Sequence, residues 1–160
     1  MNAPRAAART QPPWGRLLLR GVRKQCPNCG GHPVYDTWFR MKDRCPDCGL
    51  RFEREPGFFV GAYLINLAVA FTLLFVLCMV YVGWKAANPD AGVLVPISVM
   101  VAVGILAPPF FYPYSRTVWS AIDIGMAPLE PAEEADAAAA LAASRGDAPP
   151  EPGIDAERRP

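Results

Sequence analysis

Two long uncharged stretches dominate the hydropathy pattern of the chain. Phe58 to Trp84 runs for twenty-seven positions without a formal charge, and Ala91 to Ser115 for twenty-five more. A bilayer's hydrocarbon core is about 30 Å thick and a helix rises about 1.5 Å per residue, so about 20 apolar residues suffice to cross it. Leu67 to Leu77 has no polar face to present to water. Transmembrane helices are therefore expected at 58–84 and 91–115, in preference to the buried core helices of a soluble domain. The link between them, 85–90, holds the turn signal Asn88-Pro89-Asp90. So short a link returns the second helix beside the first, as an antiparallel hairpin with both chain ends on one side.

The other segments are shorter and more polar. Residues 1–13 have nothing to bury and read as a disordered lead. Trp14, Leu17, Leu18 and Val22 fall on one helical face and Arg16, Arg20 and Lys24 on another, the pattern of a short helix lying on an anionic membrane surface. A solvated linker fits the same residues. Val34 to Phe39 has the β-branched and aromatic content of a strand. Glu53 to Gly57 is a charged, helix-breaking joint. Residues 116–130 form a juxtamembrane segment, and 131–160 read as a disordered acidic tail. Within that tail Ala132 to Ala143 favours helix by composition but has no apolar stripe with which to dock.

The formal net charge of +1 conceals a division. Residues 1–57 carry eleven Arg or Lys against five acids, whereas the chain from Arg116 onward carries four Arg against nine acids. Arg40, Lys42, Arg44, Arg51 and Arg54 lie within twenty residues of the first span, and the link offers only Lys85. Basic residues flanking a span stay in the cytosol, so both termini and residues 14–57 are expected there, with 85–90 outside. No secretory signal is evident, because Leu17 to Leu19 is closed at once by Arg20.

Four of the five cysteines fall in two copies of one motif, Cys26-Pro-Asn-Cys29-Gly and Cys45-Pro-Asp-Cys48-Gly, fifteen residues apart. Two intervening residues let a tight turn aim both thiolates of a pair at one ion, and four soft charged ligands suit tetrahedral Zn²⁺. Disulfides need an oxidising compartment, thioredoxin-type exchange needs a βαβ context, and haem attachment fails because Gly30 follows Cys29. Iron in a rubredoxin-like site remains the lesser alternative. A Cys₄ site has no open coordination position, so one structural zinc per chain is expected and no enzyme activity. His32, between Gly31 and Pro33, reads as turn. The fold class is thus an α-helical membrane protein: a two-helix transmembrane hairpin preceded by a small β zinc ribbon within 14–57.

The rest of the chain offers contacts and no chemistry. Asn66, about two turns into the first span, needs an intramembrane polar partner. Pro108, Pro109 and Pro113 free carbonyls near the end of the second span, and those need protein or water donors. Cys78 reads as an apolar filler. Trp38 and Phe39, with Arg40, Lys42 and Arg44, form the expected partner-binding surface of the ribbon. Arg40, Lys42, Arg44, Arg51 and Arg54, with Tyr35, Trp38 and Phe39, would also supply the charge and stacking surface that suit nucleic acid. A third alternative is metal or small-molecule handling, which two helices without ionisable residues would manage only as a homo-oligomer.

This order of parts resembles the bacterial family called domain of unknown function 983, over roughly residues 16–130. Cys26, Cys29, Cys45 and Cys48 match its ligand positions, and Pro108 with Pro109 its proline pair. The joint Glu53 to Gly57 departs from the Asp- and Gly-rich joint of many members. The resemblance implies the hairpin architecture, and some relatives are associated with haem-copper oxidase assembly genes. A zinc-ribbon adaptor or accessory factor for a membrane complex, with respiratory biogenesis as one setting, is the function it implies.

Overall fold

The computed structural model describes residues 12–146, and the parts of the expected lead and tail at 1–11 and 147–160 lie outside the described residues. Four helices follow one another: α1 (Trp14–Val22), α2 (Val60–Ala87), α3 (Leu94–Met126) and α4 (Pro131–Arg145). The cysteine module lies between α1 and α2.

Helices α2 and α3 are both long and apolar enough to cross a membrane. Large side chains such as Leu64, Phe71, Phe75, Val95 and Ile105 are left uncovered by the rest of the chain. The two helices pack side by side, and the link between them satisfies its own polar groups. The Asn88 side-chain amide donates to the Trp84 carbonyl at 2.9 Å, and the Lys85 ammonium donates to Pro89 at 2.7 Å. Deeper in the pair the Asn66 amide donates to the Pro108 carbonyl at 3.0 Å. Near the module the Trp119 indole donates to the Phe58 carbonyl at 2.6 Å, and its ring lies where a Cβ on Gly61 would be.

The second expected span was bounded at Ser115, but α3 runs on to Met126 and carries Pro108, Pro109 and Pro113 inside it. The continuation is stable because it is buried: Pro113, Ser115, Thr117, Ser120, Ala121 and Ile124 face the protein core. Thr117, Ala121 and Gly125 recur every fourth residue and make a row of small side chains, which lets a second helix approach closely. That helix is α1, running antiparallel: a Cβ on Gly21 would lie 3.1 Å from Ala121, Thr117 and Val118, while the Trp14 ring covers Gly125. The Thr117 hydroxyl donates to the Gly21 carbonyl at 2.7 Å. Leu17 is fully buried in this seam, and Leu18 and Val22 of the same sequence-level apolar set point away from it.

Two expectations are corrected. Among the described residues there is no β-strand: Val34 to Phe39 forms turns and bends, with isolated antiparallel bridges Tyr35 to Met41 and Arg44 to Arg51. The acidic segment from 131 is also ordered as far as Arg145. Pro131 occupies the first helical turn, Glu130 and Glu133 close a reciprocal capping box, and Gly146 ends the helix at φ +78°. Ala137 is buried, so a single alanine makes the docking contact that a full apolar stripe was expected to need.

The main core is shared among elements. Leu17 of α1, Cys26, Val34, Met41, Cys45, Leu50 and Phe52 of the module, and Ala121 and Ile124 of α3 form one buried cluster.

Candidate metal centre

Each cysteine pair sits on the same short turn. The Gly30 amide donates to the Cys26 carbonyl at 2.7 Å, and the Gly49 amide to the Cys45 carbonyl at 2.9 Å. Both turns need a left-handed residue after the second cysteine, and Gly30 and Gly49 supply it at φ +84° and +72°. The turns face each other and bring all four sulfurs within 4.8 Å of one another. Cys26 and Cys48 are 3.8 Å apart, Cys29 and Cys45 3.6 Å. Four sulfurs at about 2.3 Å from a tetrahedral zinc stand about 3.8 Å from one another, so the cluster has the dimensions of a Cys₄ zinc site.

Electrostatics points the same way. Hydrogen bonds with Cys26, Cys45 and Cys48 hold the Cys29 thiol below its ordinary pKa. Hydrogen bonds with Cys29, Cys45 and Cys48, together with burial, push Cys26 above it. Thiols this crowded cannot all ionise unaided, and a divalent cation removes that conflict. The Gly31 amide already points at the Cys29 sulfur at 3.3 Å.

An arginine clamps each knuckle from outside. Arg20 of α1 donates to the Pro27 and Asn28 carbonyls at 2.9 and 2.6 Å. Arg44 donates to the Gly49 carbonyl at 3.2 Å. These bonds go to backbone carbonyls of the turns and fix the turn geometry that aims the sulfurs.

The module is fastened to α3 through carbonyls near the prolines. Pro113 has no N–H to offer the Pro109 carbonyl one turn earlier, and the Trp38 indole donates to that carbonyl at 3.1 Å. The Tyr35 hydroxyl donates to the Pro113 carbonyl at 2.5 Å, and burial pushes its phenol pKa up, keeping it a neutral donor. The Trp38 ring lies 5.7 Å from Phe110 and 6.2 Å from Tyr114, with the Lys24 ammonium 4.5 Å above it.

The expected partner-binding residues are therefore dispersed. Trp38 is engaged with α3, and Phe39, 57 % exposed, touches Tyr112. Arg40 is exposed, Lys42 lies 3.8 Å from Asp36, and Arg44 pairs with Asp136 of α4 at 2.9 Å. His32 is exposed on its turn. Sequence reasoning placed Arg20, Tyr35 and Arg54 on exposed basic or aromatic surfaces and missed their role in fastening the module. Arg54 joins three elements, donating to Asp123 of α3 at 2.7 Å, to Glu133 of α4 at 2.6 Å and to the Ala127 carbonyl at 2.9 Å. No local motif marks Tyr35 or Arg54, because their partners are 69 to 79 positions away, whereas Arg20 reaches carbonyls only 7 and 8 positions on.

The family described as protein of unknown function (DUF983) matches residues 35–122, more than half of the chain. No curated protein and no solved structure matches it.

Proposed function

The chain belongs to the DUF983 family, and from that premise we propose that it is a non-enzymatic adaptor of the cytoplasmic membrane. In this reading α2 and α3 span the bilayer, and the four-cysteine module holds one structural zinc on the cytosolic side. There it docks a partner belonging to a membrane complex, as an accessory or assembly factor. The observation that carries the reading is the cysteine cluster itself, closed by four ligands and bolted to α1, α3 and α4. A closed tetrahedron stabilises and does not catalyse. Metal binding contributes on the order of 10 kcal/mol to so small a module. Orientation rests on the basic residues Arg40, Lys42, Arg44, Arg51 and Arg54 before the first span.

The nucleic-acid alternative draws less support, since Lys42 and Arg44 already face carboxylates and one face of Trp38 is covered. The test is purification from membranes in mild detergent without added metal. One zinc per chain is expected, together with a copurifying membrane protein that is lost with Cys45→Ser. Iron at unit stoichiometry would overturn the zinc assignment, and a chain that copurifies with no membrane protein would overturn the adaptor reading.

A further inference from the structure

The adaptor reading leaves open which face of the module meets the partner, and α4 bears on that. This helix lies against the second knuckle and carries its charges in register with the module's arginines. Asp136 takes both Nη atoms of Arg44, at 2.9 and 3.2 Å. Glu133, one turn earlier, takes Nε and Nη2 of Arg54 at 2.6 and 2.7 Å. Immediately after Asp136, the backbone of Ala137 closes on Gly49 so tightly that any Cβ there would collide with the Ala137 carbonyl.

The fit is specific in chemistry but loose in packing. Cavities of about 260 and 240 Å³ run along the seam, the first beside Asp123 and Glu130, the second beside Leu50 and Arg51. The Asp136 side chain is 57 % exposed and that of Glu133 30 %, and ion pairs open to water contribute little after screening. Ala137, the buried residue of α4, adds only one methyl group. A helix held this way is displaceable. Beneath it, Asp123 and the Ala127 carbonyl hold Nη1 of Arg54 independently of α4, so its other edge stays presented.

We propose that the face under α4, made by Arg44, Gly49, Leu50, Arg51 and Arg54, is the partner-docking surface of the module, and that α4 occupies it as an internal stand-in. The proposal rests on the adaptor reading and supplies its interface. The partner it fits is an acidic helix of a membrane-bound protein, with carboxylates three residues apart and a small residue immediately after the second. A polyanionic nucleic acid would match the arginines but leave the Gly49 notch unfilled, so a helix backbone is the better occupant.

The test uses the full chain in detergent and a labelled peptide of residues 128–146 as the probe. In the wild type α4 competes in cis and the peptide binds weakly. With Glu133→Lys and Asp136→Lys together, α4 is repelled from its own face, and peptide affinity rises about tenfold or more, falling again as salt is raised. The milder pair Glu133→Gln and Asp136→Asn gives a smaller gain in a helix of unchanged shape, which guards against misfolding of the reversed chain. A peptide carrying Ala137→Leu loses the gain, because the side chain at 137 is buried and a larger one overpacks the seam. Equal peptide binding to wild type and both variants, or tighter binding of a mixed-sequence RNA than of the peptide by the reversed chain, would overturn the proposal. Copurification of a membrane partner alongside failed peptide binding would reject this surface alone and leave the adaptor reading standing.

Discussion

Removing the indole N–H of Trp38 tests how the metal module is fastened to α3. In Trp38→Phe the ring contacts with Phe110 and Tyr114 are largely kept, but the Pro109 carbonyl loses its donor at 3.1 Å. A net hydrogen bond is worth about 0.5–1.5 kcal/mol, and a fully buried orphan carbonyl costs more. This bond lies at the uncovered surface of the chain near the end of the apolar run, and the expected cost is about 1 kcal/mol, roughly fivefold in the opening equilibrium. The decisive partner is Pro113→Ala, which restores an amide N–H one turn after Pro109 and gives that carbonyl a helical donor. Trp38→Phe should then cost about 1 kcal/mol less in the Pro113→Ala background than in the wild type, a coupling energy read directly from the double-mutant cycle. Hydrogen exchange of the Asp36, Arg40 and Lys42 amides, which close the Val34 to Lys42 turn, reports the undocking. Smaller effects of ring size and of the Lys24 contact are common to both backgrounds and cancel. An identical Trp38→Phe effect in the two backgrounds would refute the account of a proline-freed carbonyl.

Two further outcomes follow from the packing and the charge. Gly15 and Gly21 lie in the same helix, yet a Cβ at Gly15 meets nothing within 4 Å while one at Gly21 meets three atoms of α3 at 3.1 Å. Gly15→Ala should therefore stabilise by up to about 1 kcal/mol through helix propensity, and Gly21→Leu should destabilise by about 1–3 kcal/mol through overpacking; thermal unfolding in detergent that ranks them the other way rejects the α1 seam. Hydrogen bonds from Arg54 and Arg44 hold the Glu133 and Asp136 carboxyls below their ordinary pKa values. Their contribution to α4 docking is then complete above the ordinary carboxylate range and is lost as pH falls through and below it. Proteolytic sensitivity of α4 should rise in that acid window, and protection that is flat down to about pH 3 would contradict the ion-pair account.

The chain announced what rests on period and spacing and concealed what rests on distant pairing. Both long helices were legible because about 20 apolar residues in a row have few other uses, and the cysteine cluster because two identical knuckles encode one geometry. The continuation of α3 past Ser115 was less visible, since Arg116 closes the uncharged run. The compensating donor for the carbonyl that Pro113 frees, Trp38, comes from a separate segment 71 positions away. The missing β-strand is a case of propensity yielding to context. Val34 and Met41 are buried, but the segment is spent on turning the module against α3. For α4, the composition of the tail masked real boundary signals, Pro131 in the first turn with Glu133 after it and Gly146 behind Arg145, which a search for caps would have found.

The same facts explain why the module is joined to α3 and is not a free bead on a linker. Some thirty residues between Arg23 and Phe52 cannot bury enough surface to fold alone, and the described core draws on Leu17, Ala121 and Ile124 from outside them. Prolines in the interior of a helix ordinarily cost about 3 kcal/mol or more each. Here Pro113 turns a self-satisfied helix surface into one with an outward acceptor at Pro109, and the module's Trp38 fills it. The arginine clamps complete the arrangement: Arg20 ties the first knuckle to α1, and Arg44 and Arg54 tie the region of the second knuckle to α4. The first tie is locked by the small-residue row of α3, whereas the second ends on half-exposed carboxylates. Any movement of this module in response to a partner is therefore expected on the α4 side, with the first knuckle and its metal ligands held still.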